Sequence, residues 1–312
     1  MASQTLGLAE ATGFSFIEKQ LDIRFPWACL PPRLWLLPLA ATRAKEATLS
    51  PPWPDLVIGC GRNAAMPTLA IRRASGGRTV AAQIQDPGVG HSEFDLLVVP
   101  EHDQLRGRRV VVTRSAVHRV TRARLAAERS RFPALAALPR PILSVLIGGT
   151  NKAYRLTLRR LGEIADAVAG VLRTQGGAAL VTPSRRTGAA GIELLRCRLA
   201  NLAAVVWDGS GENPYFAYLA LADAFMVTAD SVSMVSEAAA TGKPVHILDL
   251  DGGNAKFARF HAAMRSAGVT RPFAGRIESW RYPIPDDTLR AGAALRELVL
   301  ERVGSQEGSR KP

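Results

Sequence analysis

Three segments in the second half of the chain combine residue types that bind phosphate. The first is Ala224-Phe-Met-Val-Thr-Ala-Asp230-Ser231-Val-Ser233-Met-Val-Ser236-Glu237, a strand pattern that turns through Asp and Ser into a helix pattern. The first N–H groups of a helix have no partner within it, and the helix dipole places partial positive charge there. Such a terminus suits a phosphate, with Ser231 and Ser233 as hydroxyl donors. Plain N-capping by Asp or Ser is the alternative. A capping box needs an acid three residues past the cap, and Glu237 stands in that relation to neither Asp230 nor Ser233. Its carboxylate is a candidate partner for a ligand hydroxyl. The second segment is Ile147-Gly148-Gly149-Thr150-Asn151-Lys152, where glycine lets backbone amides approach an anion and Lys152 adds charge. A tight turn would use the same glycines. Neither the Walker pattern nor G-x-G-x-x-G is present. The third, Thr182-Pro-Ser184-Arg185-Arg186-Thr187, sets paired guanidinium groups beside hydroxyls, a phosphate or carboxylate ligand set or else a solvated pair. All three follow strand patterns, so one sheet edge would gather them. Amide nests, three cations and a carboxylate match a nucleoside diphosphate and its ribose.

The first half offers candidates for proton transfer. Gly59-Cys60-Gly61-Arg62-Asn63, Gln83-Ile-Gln-Asp86-Pro87-Gly88-Val-Gly-His91 and Pro100-Glu101-His102-Asp103 each follow a strand pattern. Asp86, His91, His102 and Asp103 have the chemistry of a general base, and equally that of turn or surface residues. No H-E-x-x-H, zinc-spaced Cys/His cluster or G-x-S-x-G occurs, so no metal is expected and a serine hydrolase has no support.

Short apolar, β-branched runs alternate with helical patterns, which indicates βα units and mostly parallel sheets. Strands are expected over 14–23, 55–60, 79–85, 94–100 and 108–113, with helices over 4–11, 64–74 and 121–129. Pro133, Pro139 and Pro141 mark a linker. Further strands are expected over 141–147, 178–182, 203–207, 224–228 and 245–250. Helices follow over 188–201, 214–222, from Ser233, and over 288–303. Leu161, Ile164, Ala165, Val168, Val171 and Leu172 share one face of another helix. Ligands of doubly wound sheets bind at the carboxyl ends of strands, where these segments lie.

With 312 residues, 47% apolar and 21% charged, the chain is no disordered protein and is long enough for two domains without disulfides. Cys29, Cys60 and Cys197 are too few and scattered for a disulfide framework, which points to a reducing, cytoplasmic setting. The net charge of +13 favours anionic partners. Residues 106–131 hold nine arginines and one acid, Glu128, which marks either a binding face or a solvated one. No specific nucleic acid partner is expected. There is no secretory signal pattern and no apolar run of the ~18 residues that a membrane span needs. Residues 27–41, interrupted by Arg33 and three prolines, are expected to pack in a core or between domains, with peripheral contact at the inner membrane face as the alternative.

Taken in order, Gly61-Arg62, Gln85-Asp86-Pro87, Phe94-Asp95 through Asp103, Ile147-Gly148-Gly149, Ser184-Arg185-Arg186-Thr187 and Val227 through Glu237 with Gly242-Lys243-Pro244 resemble the mitochondrial fission "elongated mitochondria" family over residues 4–300. The resemblance implies a GT-B-like α/β fold, with two Rossmann-like doubly wound domains facing a cleft, as in the undecaprenyl-linked N-acetylglucosaminyl transferase of peptidoglycan synthesis. It implies an acceptor-side domain over 1–138, a nucleotide-sugar domain over 139–286, a crossover helix over 287–303 and a disordered tail over 304–312. Gly148, Gly149 and Thr150 would meet phosphate, Ser231 and Ser233 diphosphate, and Glu237 the ribose hydroxyls. Gly61, Arg62 and Asp103 would also face the cleft. Relatives begin with a strand and a Gly-rich loop before the helix seen here as Gln4-Thr5-Leu6-Gly7-Leu8-Ala9-Glu10, so the first strand is expected to be missing. The implied activity is transfer of a sugar from a nucleoside-diphosphate sugar to a lipid or cell-envelope acceptor, without metal or other cofactor. The alternative is a non-catalytic adaptor that recruits a partner protein.

Overall fold

The computed structural model describes residues 2–44 and 49–308. The chain divides into two compact units, one formed by Met1–Arg119 with Asp286–Pro312 and the other by Val120–Pro285. In chain order the first unit begins with α1 (Ala2–Thr12), β1 (Leu21–Ile23), β2 (Thr42–Ala44), β3 (Leu56–Cys60), α2 (Arg62–Ala74), β4 (Val80–Ile84), β5 (Leu96–Pro100) and β6 (Val110–Thr113). The second comprises α3 (Arg122–Arg131), α4 (Pro133–Ala136), β7 (Ile142–Ile147), β8 (Tyr154–Arg155), α5 (Leu158–Gln175), β9 (Ala178–Pro183), α6 (Gly188–Leu199), β10 (Ala204–Val206), α7 (Tyr215–Leu221), β11 (Ala224–Thr228), α8 (Val232–Ala239), β12 (Val245–Leu248), β13 (Asp251–Gly252), α9 (Ala255–Ser266) and β14 (Thr270–Pro272). The chain then returns to the first unit as α10 (Asp287–Gly308).

In the first unit β3, β4, β5 and β6 lie side by side in that order, all parallel. β4 and β5 are buried along their whole length, which is why they read as near-continuous apolar runs, broken only by the buried Gln83, instead of alternating ones. One face packs Ala65 and Leu69 of α2 against Ala81, Leu97 and Val99. The other packs Leu8 of α1 and Ala291, Leu295 and Val299 of α10 against Val80, Ala82 and Val98. The α10 residues recur every fourth position and so form one stripe. A Cβ at Gly292 would come within 2.7 Å of the Ala11 carbonyl oxygen, so only glycine lets the two helices approach this closely. Asp287 fixes the start of α10: its Oδ2 accepts the amides of Arg114 (3.1 Å) and Ser115 (2.8 Å).

The second unit carries a six-stranded parallel sheet in the order β10-β9-β7-β11-β12-β14. The chain starts at β7, builds outward through β9 and β10, then returns to the other side of β7 with β11. This is the doubly wound order with a reversal between β7 and β11. The apolar stripe of α5 is buried in the main core, and α7 sets Tyr218 and Leu221 on Ile142 and Leu180.

Four differences from the sequence reading stand out. The division falls at Arg119/Val120, not at 138, because the proline-marked segment is no linker: Leu135 and Leu138 pack against the core beside α7. Within 14–23 only Leu21–Ile23 is a strand, and it pairs antiparallel with Thr42–Ala44 in a separate ribbon. α9 and β14 were not foreseen. Their signals are Asn254, which caps α9 by accepting the Phe257 amide at 3.1 Å, and the buried Phe260 and Met264 that follow. Finally, the last helix continues past 303 to Gly308, while residues 309–312 lie outside the described ones.

Candidate functional site

The loops after β7, β9 and β11 meet at the carboxyl edge of the second unit's sheet, on neighbouring strands. The structure thus gathers Gly148, Gly149, Ser184, Arg186, Asp230 and Thr187 into one network, but its wiring differs from an anion nest. The Gly148 amide donates to Thr228 Oγ1 (2.8 Å), and the Gly149 amide donates to Asp230 Oδ2 (3.0 Å). Thr228 Oγ1 donates to Asp230 Oδ1 at 2.7 Å. Arg186 spans the loop, with Nη2 at 2.8 Å from Asp230 Oδ2 and Nη1 donating to the Gly149 carbonyl at 2.9 Å. Ser184 and Thr187 hydroxyls both donate to the Gly148 carbonyl, at 2.6 and 2.7 Å.

The glycines are therefore explained by close approach to protein atoms. A Cβ on Gly148 would lie 2.2 Å from the Asp230 carboxylate, and one on Gly149 would lie 2.6–2.7 Å from Arg186 atoms. The Asp230 side chain is fully buried. A carboxylate without water needs donors on its oxygens, and these contacts supply them. Thr150 is tied in as well, accepting the Leu156 amide at 3.0 Å.

Other foreseen residues remain accessible. Lys152 and Arg185 are exposed, while Ser231 and Ser233 are half-buried. Ser231 caps α8 by accepting the Met234 amide at 3.3 Å, so the N-capping alternative holds for this hydroxyl. A groove of about 620 Å³ opens beside the loop, lined by Thr150, Lys152, Tyr154, Arg155, Thr157 and Asp251. Glu237 is buried, and its Oε2 accepts the Tyr215 hydroxyl at 2.5 Å. Burial, reinforced by the Glu237 charge, pushes the Tyr215 phenol well above its ordinary range, so it stays a donor.

Three contributors were missed in the sequence. Tyr215 lies 22 residues before its carboxylate partner, in a helix that reads as core. Thr228 reads as a strand end. His261, on the unforeseen α9, places its Nε2 at 2.8 Å from the Ala229 carbonyl and so pins the turn before Asp230. Burial lowers the His261 basicity, although this bond opposes the shift.

In the first unit Asp86 and His91 come together: His91 Nε2 lies 2.7 Å from Asp86 Oδ1, and both side chains are partly exposed. The same oxygen accepts the Gly88 amide at 2.8 Å. Burial acts to raise the Asp86 carboxyl, but the Gly88 amide, His91 and Arg62 outweigh it and hold it below its ordinary value. Gly61 has φ 77° and opens α2 at Arg62. His102 and Asp103 are buried at the end of β5, 4.0 Å apart, enclosed instead of presented to solvent. Among the described residues no group of three or more His, Cys, Asp or Glu side chains is placed to hold a metal ion. No helix among them is long and apolar enough to cross a membrane.

Residues 1–299 match the sequence model of the mitochondrial fission ELM1 family, and the chain belongs to that family. It is 34% identical over 277 residues to the mitochondrial fission protein ELM1 of Arabidopsis thaliana, covering 80% of this chain and 65% of that protein. An uncharacterized protein of Rickettsia prowazekii is 23% identical over 236 residues, covering 62% and 64% respectively. The chain thus spans just under two thirds of the length of these relatives. Among solved structures, the UDP-GlcNAc 2-epimerase of Methanocaldococcus jannaschii aligns with a TM-score of 0.51 at 12% identity, over 79% of this chain and 77% of that one. The shared fold is α/β and GT-B-like, with a parallel sheet in each of two units.

Proposed function

We propose that this member of the ELM1 family binds a nucleoside-diphosphate sugar at the carboxyl ends of β7, β9 and β11 and transfers the sugar to a lipid or other envelope acceptor. The observation that carries the reading is the reversal of strand order between β7 and β11, with every foreseen polar loop of the second unit beside it. Doubly wound sheets bind their ligands at this place. The self-paired network makes the loop rigid, leaving Lys152, Arg185 and the start of α8 to face the diphosphate. Glu237, oriented by Tyr215, takes ribose hydroxyls. The M. jannaschii neighbour acts on UDP-GlcNAc by its name, which agrees with the donor class; fold kinship by itself does not establish activity.

In transfer, the acceptor oxygen forms a bond to the anomeric carbon as the bond from that carbon to the diphosphate oxygen breaks. The electron pair leaves with the nucleoside diphosphate, whose charge the cations offset. The acceptor proton passes to a general base, and the first unit's candidate for that role is the Asp86–His91 pair. A neutral His91 that donates Nε2–H to Asp86 offers Nδ1 as the base. Replacing His91 by Gln then lowers turnover by about 10²–10⁴-fold.

A second reading, a non-catalytic adaptor, is favoured by one observation: the Gly148 and Gly149 amides are already satisfied by protein groups. A thermal-shift panel of UDP-, GDP-, ADP- and CMP-sugars separates the two. A donor at ~100 times its dissociation constant adds about 2.7 kcal/mol of stability. Glu237→Gln should weaken that binding by about 1–3 kcal/mol. No shift with any nucleotide sugar on the folded chain would favour the adaptor.

A further inference from the structure

Residues 24–41 leave the first unit as an ordered loop whose base is closed by the ribbon of β1 and β2, with Asp22 opposite Arg43 and Ile23 opposite Thr42. Two 3-10 turns, Trp27–Cys29 and Pro32–Leu34, shape it. The buried Trp35 staples it from within, its indole N–H donating to the carbonyls of Trp27 (3.1 Å) and Leu30 (3.2 Å). α2 packs against the second turn. Held this way, the loop turns apolar side chains outward: Phe25 is 82% exposed, Leu34 54%, Leu36 93% and Leu37 65%. Of the eleven large apolar side chains exposed among the described residues, seven lie between Phe16 and Leu37, so the exposure is concentrated and not the scatter usual on a surface. The expectation that 27–41 packs away is thus overturned for Leu30, Leu34, Leu36 and Leu37.

The chemistry of the loop narrows the partner. Between residues 16 and 44 the charged side chains are Glu18, Lys19, Asp22, Arg24, Arg33 and Arg43; beyond Asp22, which stands opposite Arg43, all are arginines. Pro26, Pro31, Pro32 and Pro38 lack the N–H that pairing with an added strand requires. Apolar side chains on a short braced loop, with arginines beside them, match the boundary between acyl chains and anionic headgroups. We infer that residues 24–37 dock the protein on an anionic membrane surface, with Phe25, Leu34, Leu36 and Leu37 entering the lipid and Arg24, Arg33 and Arg43 meeting the headgroups.

Co-sedimentation of the full chain with vesicles of phosphatidylcholine, and of phosphatidylcholine mixed with phosphatidylglycerol, tests this. Binding to the mixed vesicles is expected. Phe25→Ser/Leu36→Ser/Leu37→Ser should weaken it by at least about tenfold, since each side chain removes well over 1 kcal/mol of apolar transfer. Arg24→Gln/Arg33→Gln/Arg43→Gln should weaken it and flatten its salt dependence. Both variants replace surface groups and should keep the wild-type melting temperature, which confirms that they are folded. Absence of wild-type binding, or equal binding by the serine variant, would overturn the inference; in the latter case the arginines of 106–131 carry the attraction. Equal partition onto phosphatidylcholine alone would overturn the headgroup assignment. Self-association that the serine variant abolishes, without vesicle binding, would make the patch a protein interface instead.

Discussion

The two units solve one architectural problem in opposite ways. In the second, the chain starts in the middle of the sheet and winds both ways, so adjacent loops after β7 and β11 diverge. In the first, β3 to β6 follow one another across the sheet without reversal. Connections that all advance in one direction cover one face; here α1 and α10, from the two ends of the chain, cover the other. The polar groups follow the topology. At the reversal Asp230 and Thr228 are buried and paired with their neighbours, whereas in the first unit Asp86 and His91 form a half-exposed pair. Asp230 is preorganised by internal pairing at the switch point, whereas the Asp86–His91 pair keeps access to solvent.

The comparison breaks if the paired network is not what holds its unit together. Asp230→Ala strips the Gly149 amide, the Thr228 hydroxyl and Arg186 of their shared partner, and should cost about 3–5 kcal/mol in urea unfolding. Asp86→Ala should cost less than about 1 kcal/mol, since its contacts are exposed. Equal losses would remove the distinction.

Acid should weaken the first unit at a definite place. Burial, opposed by Asp287, pushes the His118 imidazole down to about 4. A histidine with a lowered folded pKa binds fewer protons folded than unfolded, so its contribution is intact above about pH 7 and declines below the unfolded value of ~6.5 until about pH 4. The loss amounts to about 3 kcal/mol at most. Asp95 adds to it at lower pH: burial acts to raise it, but Arg72, the Ala81 amide and Arg302 hold it below the ordinary carboxylate value. Its stabilisation is intact above that value and is lost as pH falls from there through the lowered folded one. Hydrogen exchange from pH 7 to 4 should show core amides of the first unit opening in wild type and staying protected in His118→Asn. Identical profiles would exclude His118 as the cause.

Two smaller effects sharpen the contrast. Tyr215→Phe leaves the buried Glu237 carboxylate without its phenol and should destabilise by about 1–2 kcal/mol, read as a lowered urea midpoint. His91→Gln should change stability by no more than about 0.5 kcal/mol, so any loss of turnover reports chemistry.

Most of the second unit's strands could be read from the sequence to within a residue or two, because buried parallel strands are near-continuous apolar runs. That the loops after β7, β9 and β11 share one edge was equally legible, since βα rhythm fixes which strand ends point together. What each group does there was not. Spacing gives no sign that Asp230 spends itself on the Gly149 amide, or that Tyr215 reaches Glu237. Such pairings depend on strand order, which one sequence leaves open. The α9 helix was hidden behind Gly252-Gly253, although Asn254 announced it. In the first unit the exposed leucines of 30–37 read as core, because apolar composition does not say which way a braced loop turns its side chains.

The return of α10 to the first unit makes the second an insertion within it. On the ribosome, β7 through β14 emerge as an uninterrupted stretch able to collapse on its own core. Strands β3 to β6 emerge earlier, yet one face is covered by α1 alone until Leu295 and Val299 leave the exit tunnel. The part translated first is the part completed last, so premature termination just after Pro285 releases a finished second unit attached to a sheet whose second face is incompletely covered.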